Sequence, residues 1–152
     1  MKIFYLFILM MFINGCAQKD AFTMFNLTKE QRLSENSIQT VKIKDKKGAI
    51  VGMLSTLYLN DIDADKYEDG EYFYIYFYVK DKQELHFLLN DKEPVYIEKL
   101  SVNNRFSKLL NSTNVWNKYR MLKFEKTEDR KLTLKLKDKT LSFKGIVYKK
   151  ED

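Results

Sequence analysis

Residues 71–80 read Glu-Tyr-Phe-Tyr-Ile-Tyr-Phe-Tyr-Val-Lys. Side chains alternate faces along a β-strand. Phe73, Ile75, Phe77 and Val79 therefore share one face, and Tyr72, Tyr74, Tyr76 and Tyr78 share the other. No helix would segregate the two sets in this way. The segment reads as a strand, and its aromatic and apolar content on both sides makes it a central one.

Other strand-like stretches follow the same logic. They are Ile38–Lys44, Ile50–Leu59, Leu85–Leu89, Val95–Leu100, Tyr119–Lys126, Leu132–Leu136 and Leu141–Tyr148. Ile50–Leu59 is apolar on both faces, which places it centrally too. Asp, Asn, Lys and Gly clusters separate the stretches and supply turn chemistry. Asn103–Asn111 reads as one short helix. Seven or eight short strands between residues 36 and 150 predict an all-β fold: an antiparallel β-sandwich, with a small β-barrel as the alternative.

The N-terminus has a different character. Lys2 precedes eleven uninterrupted apolar residues, Ile3 to Ile13. A bilayer-spanning helix needs about 20, so the run matches the hydrophobic core of a secretory signal instead. It ends in Ile13-Asn14-Gly15-Cys16, which resembles a bacterial lipobox. The resemblance implies that Cys16 receives a diacylglyceryl group, that cleavage follows Gly15, and that the new amine is acylated. Ala17 follows the Cys where Asp would retain the protein at the inner membrane, so the resemblance points to the outer membrane. Residues 1–15 are then a signal peptide, residues 16–35 the lipidated Cys and a tether, and residues 36–150 the β-domain. The layout as a whole resembles small bacterial lipoproteins with an immunoglobulin-like head. That likeness is one of architecture over residues 36–150.

Composition narrows the chemistry. With one Cys and one His, the chain has no internal disulfide and no Cys/His zinc site of four ligands. The histidine, His86, lies between Leu85 and Phe87 and reads as a residue on the polar face of a strand. No glycine-rich phosphate loop or nucleophile elbow is present, and no resident cofactor is implied. Asp61, Asp63 and Asp65 stand at the spacing of the first three ligands of an EF-hand calcium loop. Lys66 and Tyr72 then occupy positions where that loop has Gly and Glu, which leaves a solvated acidic loop or a weak calcium site.

Two further features bear on function. The stripe Tyr72, Tyr74, Tyr76, Tyr78 either packs under a neighbouring segment or forms an aromatic platform for a protein or glycan. Charge is also segregated. Residues 60–93 hold ten acidic residues and four lysines, net −6, whereas residues 118–150 hold twelve basic and four acidic residues, net +8. The lysines of the second block, Lys135, Lys137 and Lys144 among them, either guard sheet edges or dock on anionic envelope material. An exported chain has no access to nucleic acid. The expectation is a lipid-anchored, non-enzymatic protein that binds or scaffolds envelope components. A surface adhesin is the alternative, and a small-ligand carrier or enzyme the third reading.

Overall fold

The computed structural model describes residues 37–80, 84–138 and 140–150, together with Thr28 and Ser34. Cys16, the expected signal segment and most of the expected tether lie outside the described residues. Ser34 is already fully buried. Among the described residues nine strands form two antiparallel sheets. The strands are β1 (Gln39–Asp45), β2 (Ile50–Tyr58), β3 (Glu71–Val79), β4 (Phe87–Leu89), β5 (Tyr96–Leu100), β6 (Lys118–Phe124), β7 (Lys131–Leu136), β8 (Leu141–Ser142) and β9 (Ile146–Lys149). One short helix, α1 (Arg105–Leu109), precedes β6. The larger sheet runs β5-β6-β3-β2-β1-β8 and the smaller β4-β7-β9. The expected sandwich is what the chain forms. Neither sheet closes on itself among the described residues, so the barrel alternative is set aside.

β3 is central, between β2 and β6, as its alternation requires. Its odd-numbered residues face the smaller sheet. Phe73, Ile75, Phe77 and Val79 join Leu54, Tyr58, Leu122 and Phe124 against Phe87, Leu89, Leu132, Leu134, Ile146 and Tyr148. Fully burying one such side chain contributes about 1.5–3 kcal/mol. Gly52 pairs with Val79, and a Cβ there would lie 2.3 Å from the Tyr78 carbonyl oxygen, so only glycine fits the close approach.

The even-numbered face is covered as well. A second core joins Leu57, Leu59, Tyr74 and Tyr119 of the sheet to Tyr67 and to Phe106 of α1. Asn104 caps α1 by accepting the N–H groups of Phe106 and Ser107, both at 3.0 Å. α1 and the Tyr67 loop thus form a third layer over part of the large sheet.

The expected final strand, Leu141–Tyr148, divides in two. Ser142 pairs with Lys44 in the larger sheet, whereas Ile146 pairs with Leu134 in the smaller. The chain crosses between layers at Phe143-Lys144-Gly145. The inward positions shift phase there, from Leu141 to Ile146 and Tyr148.

A buried polar clasp ties the last strand to the large sheet. Glu71, 1% exposed, accepts hydrogen bonds from the Tyr58 hydroxyl, from the Thr127 N–H at 3.0 Å and from the Lys150 ammonium at 2.6 Å. The Tyr148 hydroxyl donates to the Thr56 carbonyl at 2.8 Å. The two layers are therefore joined by oriented bonds as well as by apolar contact.

Candidate functional site

The tyrosine stripe is not one surface. Tyr74 is fully buried, its ring centroid 4.9 Å from that of Phe106 beneath α1. Tyr72 is half-buried and tied down: its hydroxyl donates to Asp69 at 2.7 Å, and Lys123 donates to the other Asp69 oxygen at 2.6 Å. Those two bonds, Lys123 first, hold the Asp69 carboxyl below its usual range. Tyr76 is half-buried and Tyr78 is 46% exposed. The platform expected from the alternation thus contracts to its C-terminal end, because α1 and the loop carrying Tyr67 seal the rest.

At that end lies an open groove of about 880 Å³. Ile50 and Met53 of β2, Tyr76 and Tyr78 of β3, Lys80, and Trp116 from the loop before β6 form its walls. Ile50, Met53 and Trp116 are 56%, 53% and 72% exposed. Met53 and Tyr78 are cross-strand partners, and Lys42 of β1 is the next residue along the same row.

Trp116 is held, not merely left outside. The Tyr119 hydroxyl accepts the Asn114 N–H at 2.7 Å, and lies 2.8 Å from the Ser112 carbonyl and 3.0 Å from that of Asn114. The Asn114 side chain then accepts the backbone N–H of Trp116 at 2.9 Å. Tyr119 itself stacks beside Tyr76, with ring centroids 6.0 Å apart. A buried tyrosine of the second core thereby fixes the backbone of the loop that carries the exposed Trp116. Tyr119→Phe should retain the fold at a cost of about 1–3 kcal/mol, since it leaves a loop N–H without its acceptor. It should also lower the fluorescence anisotropy of Trp116, the chain's only tryptophan. Unchanged anisotropy would show that the hydroxyl does not position the ring.

The charge blocks find each other. Lys118 and Arg120 pair with Glu84 at 3.0 and 3.1 Å, Lys123 with Asp69 at 2.6 Å, and Lys150 with Glu71 at 2.6 Å. Lys135 pairs with Asp91 at 3.0 Å, and Lys137 pairs with Glu93. In each case the base comes from 118–150 and the acid from 60–93. Two of the three lysines expected to meet an anionic surface, Lys135 and Lys137, are therefore in exposed ion pairs. Lys144 is exposed in the crossing between β8 and β9. His86 is exposed, beside a small cleft shared with Glu93 and Lys137.

The acidic loop is organised by Asn60. Its amide donates to the Tyr67 and Gly70 carbonyls at 2.7 and 2.8 Å, and its oxygen accepts the Tyr72 N–H at 2.9 Å. Asp61, Asp63 and Asp65 are exposed, and Asp63 accepts the Lys66 N–H at 3.3 Å. Among the described residues no cluster of three or more His, Cys, Asp or Glu side chains has the spacing of a metal site.

The β1–β2 hairpin concentrates basic charge that no described acid pairs with. Lys42, Lys44, Lys46 and Lys47 are exposed, and among the described residues none is in an ion pair. The hairpin's own acid, Asp45, turns its carboxylate inward to accept the Lys47 and Ala49 N–H groups, both at 2.9 Å. Sequence reasoning passed over this hairpin and Trp116. Their signals were four lysines to one Asp in six residues, and a lone Trp between Val115 and Asn117 in a loop. Comparison with models of known families, with curated proteins and with solved structures finds no match to this chain.

Proposed function

We propose that the chain is a lipid-anchored, non-enzymatic envelope protein that binds an envelope component through the groove face of its large sheet. The observation that carries the binding role is the groove between Met53, Tyr78 and Trp116. Trp116 is 72% exposed, on a loop whose backbone is fixed by bonds to the Asn114 side chain and the Tyr119 hydroxyl. Exposed apolar surface rimmed by polar residues marks contact sites, and aromatic rings supply large contact area with few torsions to freeze. The close-set titratable groups of this fold are engaged in ion pairs that hold segments together, which favours a binding over a catalytic role. The anchor rests on Ile13-Asn14-Gly15-Cys16 behind its apolar run. Several acyl chains at Cys16 would hold the protein stably, at about 0.8 kcal/mol per buried methylene.

Two measurements test this. Cys16→Ala should abolish acylation and release the protein from the membrane pellet; retention after a high-salt wash would reject the anchor. A photo-crosslinking residue at Tyr78 should form adducts in intact cells, and these should be lost with Trp116→Ala. A position 78 that crosslinks to nothing would reject the groove as a contact surface.

A further inference from the structure

We infer that the component met by this face is the anionic lipid surface of a membrane, and that the β1–β2 hairpin and Trp116 form one docking surface for it. The inference rests on the groove face being a contact surface, as proposed above, and adds the chemistry of what it meets.

The argument is one of complementarity across a single surface. Lys42, Met53 and Tyr78 are successive partners in one cross-strand row on the outer side of the large sheet. Lys44 is the partner of Ile50, and Lys80 lines the groove with Ile50 and Trp116. Lys46 and Lys47 stand at the hairpin tip, and the nearest acid in the chain, Asp45, is bound to the backbone of its own turn. Apolar and indole side chains thus project between lysines whose charge no described partner cancels.

That mixture distinguishes a bilayer from the other occupants. Protein–protein interfaces are depleted in Lys, and their centres lose charge. The membrane interface does the opposite: Trp and Tyr settle at the headgroup level, while Lys lays its methylene stem along apolar surface and keeps its ammonium among the phosphates. Anionic headgroups attract such a patch over about one Debye length. Of the lysines expected to do this, Lys135 lies on the smaller sheet and Lys137 just past the end of β7, and both are paired with acids.

Trp116 is the natural reporter, being the only tryptophan in the chain. The full lipidated chain is reconstituted into vesicles of phosphatidylcholine alone or of equimolar phosphatidylcholine and phosphatidylglycerol, at low and physiological salt. The anchor is then the same in every arm. On the anionic vesicles Trp116 emission should shift to the blue, resist acrylamide and be quenched by lipids brominated in their acyl chains. On neutral vesicles it should remain open to acrylamide. Lys42→Gln, Lys44→Gln, Lys46→Gln and Lys47→Gln together should abolish the difference, each contributing about a fivefold loss of surface affinity. Lys135→Gln with Lys137→Gln should leave it intact.

Equal acrylamide access on both vesicles would overturn the inference, as would equal loss from the two lysine sets. Adducts from position 78 exclusively to a protein or a glycan would overturn it too, while leaving the groove a contact surface. The absence of any adduct would remove the reading beneath it. Because the fluorescence is local to Trp116, it reports docking whether or not Cys16 is acylated.

Discussion

Phe77→Ala is expected to lower stability by about 3–5 kcal/mol, and Tyr74→Ala by a similar amount, as for emptying any fully buried aromatic site. The two residues lie three apart on opposite faces of β3, 1% and 0% exposed. Phe77 fills the space between the sheets, and Tyr74 the space beneath α1. Tyr78→Ala, on the same face as Tyr74 but 46% exposed, should change stability by only about 0.5 kcal/mol. Urea unfolding of the three variants checks the order. A Tyr74 variant as stable as the Tyr78 variant would mean that α1 does not seal the sheet.

Removing Lys150 from the clasp should be as damaging. Lys150→Met leaves the Glu71 carboxylate, whose side chain is 2% exposed, without its cation; loss of one partner from a buried pair costs about 3–5 kcal/mol. The double variant Lys150→Met with Glu71→Gln should recover much of that, because no uncompensated charge remains. The same site sets a pH dependence. Burial pushes the Glu71 carboxyl upward, but the bonds from Lys150, Tyr58 and Thr127 outweigh it and leave the carboxyl below its ordinary value. Burial first, and then the bond to Glu71, raises the Tyr58 hydroxyl, which therefore stays a donor. A depressed carboxyl favours the folded state above the unfolded carboxylate pKa of about 4.3, and that contribution disappears as pH falls through the lower folded value. Wild type should lose stability on acidification below about pH 4. Glu71→Gln should show a flatter profile over the same range, and an identical slope would remove Glu71 as its source.

What could be read from the residues was whatever depends on local period. The alternation from Tyr72 to Val79 assigned β3 and both its faces, and the apolar run at 50–59 placed β2 in the centre. Period two says which residues share a face, but not what will lie against it. Tyr72, Tyr74, Tyr76 and Tyr78 look equivalent in the sequence and end in four different environments, because α1, the Tyr67 loop and the Trp116 loop arrive from distant parts of the chain. The same limit explains the lysines. Lys135 and Lys137 point outward as expected of residues alternating with Leu134 and Leu136, yet their acids come from a turn 44 residues earlier. The crossing at Phe143-Lys144-Gly145 was legible in principle, as a slip of the inward residues from odd to even numbers.

The position of the clasp has a consequence for how the molecule comes into being. Tyr148 bonds to a residue 92 positions earlier and Lys150 to one 79 positions earlier, and the Gln39 amide reaches the Val147 carbonyl across 108. Chains are made from the N-terminus, so β3 emerges with its row of aromatic residues long before β9 exists to cover it. Pairings between distant segments must close large loops first and form slowly. Until residues 146–150 arrive, the inward face of β3 lacks the part of its cover that Ile146 and Tyr148 supply, and an incompletely covered aromatic strand is what invites association between unfinished chains. The interval between synthesis of β3 and docking of β9 is thus the period in which this chain most needs to be kept apart from its own copies.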